Sequence, residues 1–310
     1  MEPLAKLIWM DGRMRPWEEA RVHVMAHTLH YGVGVFEGIR CYAQKSGAPA
    51  IFRLEDHVDR LLDSARCVAM KLPFERAELI EACRIAVREN GLADCYLRPI
   101  AIHVDGEPGV GAINPVSVAV MAFAWGAYLG REGMEKGIRT TLSSWVRQHV
   151  GSAMMRAKVC GQYTTSVLAK RLAKLDGFDE AIFCDAAGYV CEGTGENLFI
   201  LRRGVLKTAP QRFAILPGIT RDTVLVLARE LAGSLRIAVV EEPFARDELF
   251  LADEAFLTGT AAEITPIREV DHRAIGAGRR GPVTEALQRA FFRVVRGEEP
   301  AHRAWLAAVT

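Results

Sequence analysis

Apolar runs and their spacing set the expected elements. Leu7-Ile8-Trp9-Met10 is a short apolar strand, Asp11-Gly12 supplies two residues suited to positive φ, and Arg13 starts the return, so the pattern predicts a hairpin. Gly34 to Tyr42 is β-branched and aromatic, and Ala50-Ile51-Phe52-Arg53 is another short strand. Leu54, Val58, Leu61, Ala65 and Val68 recur at helical spacing, with Arg60 off that stripe as a solvated side chain. The same period from Glu75 to Asn90 stops at Gly91, a natural residue just past a helix end. Tyr96 to Ile102 and Pro115 to Trp125 read as strands, the first near a sheet edge because Pro99 has no N–H for a ladder.

Gly126 to Gly133 is rich in glycine and has neither period, which marks a link. Ile138 to Ser144 is strand-like, and Gln162 to Leu175 is helical. Hairpins follow at Glu180 to Cys191, turning at Asp185 to Gly188, and at Asn197 to Thr208, turning at Arg202 to Gly204. A helix at Thr220 to Ala232, strands at Arg236 to Glu241 and Glu254 to Leu257, a short helix at Arg246 to Ala252 and a closing helix at Pro282 to Arg296 complete the pattern. Strands in hairpins with helices between them are the mark of an α+β protein. A chain of 310 residues exceeds what one core usually holds. Two domains are therefore expected, a smaller one over 1–125 and a larger one over 134–310, joined by an interdomain loop at 126–133.

Composition narrows the function. Lys plus Arg number 39 against 38 Asp plus Glu, a net charge of +1. That leaves no excess to neutralise a run of phosphates, so nucleic acid is not an expected partner. The longest apolar stretch, Val116 to Trp125, is too short to span a bilayer, and the opening residues lack a basic and then apolar leader pattern. A cytoplasmic protein with no membrane partner is expected. Its seven cysteines (Cys41, Cys67, Cys83, Cys95, Cys160, Cys184, Cys191) contain no CxxC pair and read as buried free thiols.

Several segments could carry chemistry. His23, His27 and His30 would share one face of a helix and could hold zinc, but no HExxH-type carboxylate accompanies them and structural histidines are favoured. No P-loop, GxSxG or strand-linked GxGxxG is present. Glu192-Gly193-Thr194-Gly195-Glu196-Asn197 is a tight bend between two strands. In Leu216-Pro217-Gly218-Ile219-Thr220-Arg221, Pro-Gly forces a turn and Thr220 is placed as an N-cap, so the N–H groups of Ile219 and Thr220 could receive a phosphate. Gly259 in Thr258-Gly259-Thr260-Ala261-Ala262 would let backbone N–H groups approach a ligand. Lys158 stands among small and apolar residues just before a helix, where a lysine could form a Schiff base with an aldehyde.

Taken in order, His30-Tyr31-Gly32, Val35-Phe36-Glu37-Gly38-Ile39-Arg40, Glu192 to Phe199, Leu216 to Arg221 and Gly259 to Pro266 resemble the blocks of branched-chain amino acid aminotransferases. These are class IV, fold-type IV pyridoxal-phosphate enzymes, and the resemblance runs over nearly the whole chain. It implies an α+β two-domain fold with the cofactor at the domain interface. It also implies transamination of leucine, isoleucine and valine with 2-oxoglutarate in a homodimer or higher homo-oligomer with shared active sites. The alternatives within the superfamily are a D-amino-acid or (R)-amine transaminase and an aminodeoxychorismate lyase. Outside it stand a metal protein using the three histidines and a binding protein that has lost turnover.

By the same resemblance, Lys158 is the lysine that holds pyridoxal 5'-phosphate and shuttles the substrate proton. Glu192 pairs with the pyridine nitrogen and Tyr163 with the phenolic oxygen. Ile219, Thr220, Thr260 and Arg60 hold the phosphate, and Asn197, Leu216, Gly218 and Gly259 complete the cofactor set. Tyr96 and the N–H groups of Thr260 and Ala261 take the α-carboxylate. Phe36 and Tyr31 wall the apolar pocket beside Gly38, with Tyr31 reaching in from a second subunit. Arg98, two residues from Tyr96 and so on its face, receives the distal carboxylate of glutamate. No metal is implied. Two segments depart from the family pattern. Gln148 to Arg156 lacks the prolines usual there, and Asp105 to Asn114 is altered. Both bear on substrate access, not on the cofactor.

Overall fold

The computed structural model describes residues 4–126 and 129–310. Residues 1–3, at the opening where no leader is expected, and residues 127–128, inside the expected link, lie outside the described residues. The elements begin with β1 (Leu7–Met10), β2 (Arg13–Pro16), α1 (His27–Tyr31), β3 (Gly34–Phe36), β4 (Ile39–Tyr42) and β5 (Ala50–Phe52). Then come α2 (Leu54–Cys67), α3 (Arg76–Glu89), β6 (Cys95–His103), β7 (Val116–Phe123), α4 (Gly130–Lys136), β8 (Ile138–Leu142) and α5 (Tyr163–Leu175). They continue with β9 (Glu180–Cys184), β10 (Val190–Gly193), β11 (Asn197–Arg202), β12 (Val205–Thr208), α6 (Ile219–Leu235), β13 (Ala238–Glu241) and α7 (Arg246–Phe250). The last are β14 (Glu254–Gly259), β15 (Glu263–Val270), β16 (Arg273–Ala274), α8 (Pro282–Val295) and β17 (Leu306–Ala308).

Two compact units result. The first comprises Met1–Gly126, Ala157–Gln162 and Arg293–Thr310, and the second Ala127–Arg156 and Tyr163–Phe292. The expected loop at 126–133 is helical from Gly130, and the Lys158 segment, expected in the larger C-terminal domain, belongs to the first unit. The physical reason is backbone pairing: Val159 bridges Val35, and the Phe36 N–H donates to the Lys158 carbonyl at 3.1 Å.

The first unit is a sheet in the order β17-β5-β4-β6-β7-β1-β2, with β3 also on β6. The opening hairpin forms as expected, with Asp11 and Gly12 both at positive φ. The expectation that β6 lies at an edge is corrected, since β6 pairs with β7 on one side and with β3 and β4 on the other. Phe36 faces Ile100 and Ile39 faces Leu97, so the register runs unslipped across Glu37-Gly38. The Glu37 N–H donates to the Pro99 carbonyl at 2.8 Å. A residue's N–H and C=O point to the same side of a strand, so the donor that Pro99 lacks is missing at this gap. Proline divides the single expected run into β3 and β4 instead of ending the sheet.

One face of this sheet, carrying Val35, Ile39, Cys41, Leu97 and Ala101, is buried against Leu54, Val58 and Leu61 of α2 and Leu79, Cys83 and Val87 of α3. By the alternation of a strand, Phe36, Gly38, Tyr96 and Arg98 lie on the other face.

In the second unit the sheet order is β10-β9-β8-β15-β14-β11-β12-β13, and β10 also pairs with β11. That extra pairing closes six strands into a ring. Ile138, Ile182, Val190, Leu198, Ile200, Leu257 and Ile267 fill it from one side of each strand. Ala169 and Ala173 of α5 pack on Ala181 and Phe183 from the opposite face. Five elements, α1, α4, β15, β16 and β17, go beyond those that the local pattern predicts. The α6 helix begins at Ile219 with Gly218 as its N-cap, so Thr220 is inside the first turn and not the cap.

Against the expectation that every thiol is buried, Cys160 and Cys184 are half-buried and Cys67 is exposed, the last because it falls on the outer face at the end of α2. Among the described residues no helix is long and apolar enough to cross a membrane. Leu97 is fully buried in the central strand of the first unit. Leu97→Ala is expected to lower stability by about 2–5 kcal/mol, from lost transfer energy plus a cavity, read as a shifted urea midpoint.

Candidate active site

In the first unit the candidates gather around the Phe36-Glu37-Gly38 segment. Lys158 is held by its backbone on both sides. Its N–H donates to Ser64 Oγ at 2.9 Å, and its carbonyl accepts from Phe36. The Ser64 hydroxyl in turn donates to the Arg60 carbonyl one helical turn back. Lys158 Nζ lies 4.8 Å from the centroid of the Phe36 ring. The Arg98 guanidinium sits 4.8 Å from the same ring and donates to Tyr96 Oη at 3.2 Å, while its Nε is buried without a hydrogen-bond partner. A Cβ on Gly38 would come 2.0 Å from Tyr96 Oη, so only glycine lets the tyrosine lie here. Tyr31 ends α1, partly exposed, with its ring 4.5 Å from that of His27.

Arg60 is not solvated. Its side chain is 12% exposed, and it donates from Nε to Glu37 Oε1 at 2.7 Å and from Nη2 to Glu37 Oε2 at 2.9 Å. His57 Nδ1 shares Glu37 Oε2 at 2.7 Å. Burial by itself would raise the Glu37 carboxyl, but the Arg60 charge, then His57 and the hydrogen bonds from both, hold it well below the usual carboxylate range. Burial also outweighs the pull of Glu37 on His57 and lowers that imidazole, so His57 is neutral and its Nδ1–H is the donor. Sequence reasoning misses both Glu37 and His57 as site residues. The signal is a carboxylate inside an apolar strand, which must find partners.

In the second unit the candidates meet where β10 and β11 pair, Glu192 facing Asn197. Asn197 Nδ2 donates to Glu192 Oε2 at 3.0 Å and to the Leu216 carbonyl at 2.9 Å, and the Leu216 N–H returns to Glu192 Oε2 at 3.1 Å. Arg147, also missed, is buried and pairs with Glu192 Oε1 at 2.7 Å. A Cβ on Gly218 would strike Asn197 Oδ1 at 2.0 Å. The first turn of α6, with Ile219 and Thr220 buried, carries no side-chain cap. Gly259-Thr260-Ala261-Ala262 turns from β14 to β15, closed by Thr265 Oγ1 donating to the Ala262 carbonyl at 2.7 Å, with Gly259 against Gly195 and Glu196. Tyr163 opens α5 and is partly buried.

The histidine trio forms no cluster. His27 and His30 meet the carbonyls of Gly109 and Val24, and His23 Nδ1 accepts the Met25 N–H. Only His27 and His30 lie on α1.

The chain is a member of Amino-transferase class IV, whose family model matches residues 34–270. Its relatives narrow the class further. The chain is 51% identical to the branched-chain-amino-acid aminotransferase of Pseudomonas aeruginosa, over 98% of this chain and 97% of the relative. It is 46% identical to that of Escherichia coli K12, over 98% of each. The crystal structure of the Escherichia coli branched-chain amino acid aminotransferase superposes with a TM-score of 0.93 at 45% identity, covering 99% of this chain and 100% of that one. That of the Thermobaculum terrenum branched-chain amino acid aminotransferase in its PLP-form gives 0.92 at 36% identity, covering 100% of each.

The donor set fits a pyridoxal phosphate. Its phosphate calls for N–H donors and a cation; the second unit carries such donors at the uncapped α6 terminus, and the first carries such a cation in Arg60. Its ring nitrogen needs an oriented carboxylate, which Glu192 offers. Its aldehyde needs an amine, which Lys158 offers.

Beneath the Gly259 turn, burial and then the Glu180 charge push the Glu196 carboxyl up to about 8 from 4.5. Between those values the folded state keeps a proton that the unfolded state has released. This group's contribution to stability is therefore fully present below the window and is lost as pH rises through it. Glu196→Gln is expected to gain in Tm over the native protein as pH goes from about 5 to about 9, read by thermal unfolding across that range. A Tm difference that does not change with pH would contradict the raised carboxyl.

Proposed function

We propose that this chain is a pyridoxal-phosphate-dependent aminotransferase that moves the amino group of leucine, isoleucine or valine onto 2-oxoglutarate. The observation that carries the substrate assignment is Arg98 lying against Phe36 and Tyr96 with a buried Nε that has no hydrogen-bond partner among the described residues. An apolar ring suits a branched side chain, and the guanidinium beside it offsets the cost of burying a second carboxylate. One pocket can thus accept both a branched-chain amino acid and glutamate. The curated relatives at 51% and 46% identity carry the branched-chain name over nearly their full length.

Pyridoxal phosphate, when bound, supplies an aldehyde that takes up amines and a ring that accepts the electrons left when the substrate Cα loses its proton. Lys158 Nζ would be the amine that holds the cofactor and the base that takes the substrate Cα proton. Glu192, braced by Arg147, Asn197 and Leu216, would hold the ring-nitrogen proton, and Tyr163 would bond the phenolic oxygen. Ile219, Thr220, Thr260 and Arg60 would hold the phosphate, with Gly218 and Gly259 letting the backbone approach it. Tyr96, Thr260 and Ala261 orient the α-carboxylate. Phe36 and Gly38 shape the side-chain pocket, and Tyr31 serves it from a second copy.

The enzyme works as a homodimer or higher homo-oligomer in the cytoplasm. Val24, Leu29, Val110 and Ile113 are strongly exposed, and the bond from His27 to the Gly109 carbonyl ties α1 to the 105–114 loop. An apolar surface of this kind marks an interface. The seven free thiols suit a reducing compartment.

The first test is the visible absorption of purified protein. A cofactor band that bleaches on adding L-leucine is expected, and Lys158→Ala should lose transamination by orders of magnitude. A band that ignores L-leucine but bleaches with D-alanine or (R)-1-phenylethylamine would overturn the substrate assignment. For assembly, light scattering of the native protein should give at least twice the 34.2 kDa chain mass, and Val110→Asp with Ile113→Asp should shift it toward monomer.

A further inference from the structure

Glu37 and His57 are buried, and Arg60 half-buried, where the neighbours are Val35, Ile39, Val58 and Leu61. Glu37 is fully buried, His57 nearly so, and they meet at 2.7 Å. A buried ion pair is on average no more stabilising than well-packed apolar side chains of the same volume, so stability does not account for three polar groups here. Geometry does. Glu37 takes the Nε and Nη2 edge of Arg60 side-on, which turns Nη1 away from the carboxylate. Nδ1–H of His57 fixes the same carboxylate from a second direction, on the same face of α2 one turn before Arg60. Ser64, one turn further along, joins this helix to the backbone of Lys158.

We propose that Glu37 and His57 are positioning residues that lock Arg60 in advance, so that its outer end is presented to the phosphate of the cofactor. The proposal rests on the cofactor reading above. Because His57 is neutral, the Glu37 and Arg60 charges cancel, so what Glu37 contributes to phosphate binding is a fixed guanidinium fork and not added positive charge.

Two substitutions separate geometry from charge. Glu37→Asp keeps the charge but is a methylene too short to reach Arg60 and His57 together. His57→Leu removes the donor without changing any charge, and His57→Asn restores a donor near the Nδ1 position. Each full-length holoenzyme is resolved of cofactor and titrated by fluorescence with pyridoxal 5'-phosphate and with pyridoxal, which lacks the phosphate.

Glu37→Asp and His57→Leu are expected to raise the Kd for pyridoxal phosphate on the order of tenfold while leaving that for pyridoxal unchanged. His57→Asn should recover most of the loss. In an Arg60→Ala background Glu37→Asp should add nothing, since it acts only through the arginine. Equal weakening of both ligands, or a loss that adds to that of Arg60→Ala, would overturn the proposal. If Glu37→Asp does not fold, the His57 pair decides by the same comparison. Native protein that binds pyridoxal phosphate, with Arg60→Ala binding it equally well, would overturn the positioning role and leave the cofactor reading intact. Native protein that binds neither ligand would overturn both.

Discussion

Pro99 sits opposite Glu37 in the middle of the first sheet, and because its nitrogen carries no hydrogen the pair makes one ladder bond where two would otherwise form. The neighbouring pairs keep their register, so the strand does not bend away or slip. The segment places a group on each face. On the helix side Glu37 reaches His57 and Arg60, and on the other side Gly38 admits Tyr96 against its bare Cα. Phe36, at the end of the interrupted strand, uses its own N–H to dock the Lys158 backbone. The segment from Phe36 to Gly38, opposite Pro99, thus carries the carboxylate, the docking point of the lysine backbone and the glycine that admits the tyrosine.

The second unit reaches comparable precision by closure. Six strands form a ring, and the residue pair that completes it, Glu192 and Asn197, is also the pair whose side chains bond each other and the Leu216 backbone. Moving Glu192 would require opening the ring or breaking the turn that leads into α6. Gly218 shows how tight that turn is, since a single methyl group would collide with the Asn197 amide. The carboxylate is therefore held by the barrel rather than by its own rotamer.

Much of this is legible in the sequence, and the exceptions share a cause. Hairpins and amphipathic helices announce themselves because turn residues and period are local, as at Asp11-Gly12 or along Leu54 to Ala65. β15 escapes local pattern because its residues alternate poorly and include Pro266, and it is a strand through its pairing with β14, β8 and β16. β17 is three residues long and exists through β5, more than 250 positions earlier. Arg60 looks solvated because helical spacing reports which face meets the apolar core and not whether a buried carboxylate waits across it. Pro99 looks like an edge signal because the usual reason for proline at an edge is a missing donor, and a gap in the neighbouring strand accommodates that donor equally well. Lys158 stands out as unusual from its neighbours alone, but its unit does not, since the pairing of Val159 with Val35 is invisible to local pattern.

The segment between Arg147 and Lys158 departs from its family by lacking prolines, and its internal bonds show how it is kept in place. The Arg147 N–H is fixed to the Cys184 carbonyl at 2.9 Å, and Arg147 itself is fixed to Glu192. Beyond it, the His149 carbonyl accepts from the N–H groups of Ser152 and Ala153 and from Ser152 Oγ, and His149 Nδ1 accepts the Gly151 N–H. Four hydrogen bonds to one residue do by local closure what proline does by restricting φ. Met155 and Ala157 are then buried, which brings the chain to Lys158 with its backbone already committed. The departure changes the means of restraint along this approach, and it leaves the partners of Glu192 and the docking of Lys158 on Phe36 as the strand pairing dictates.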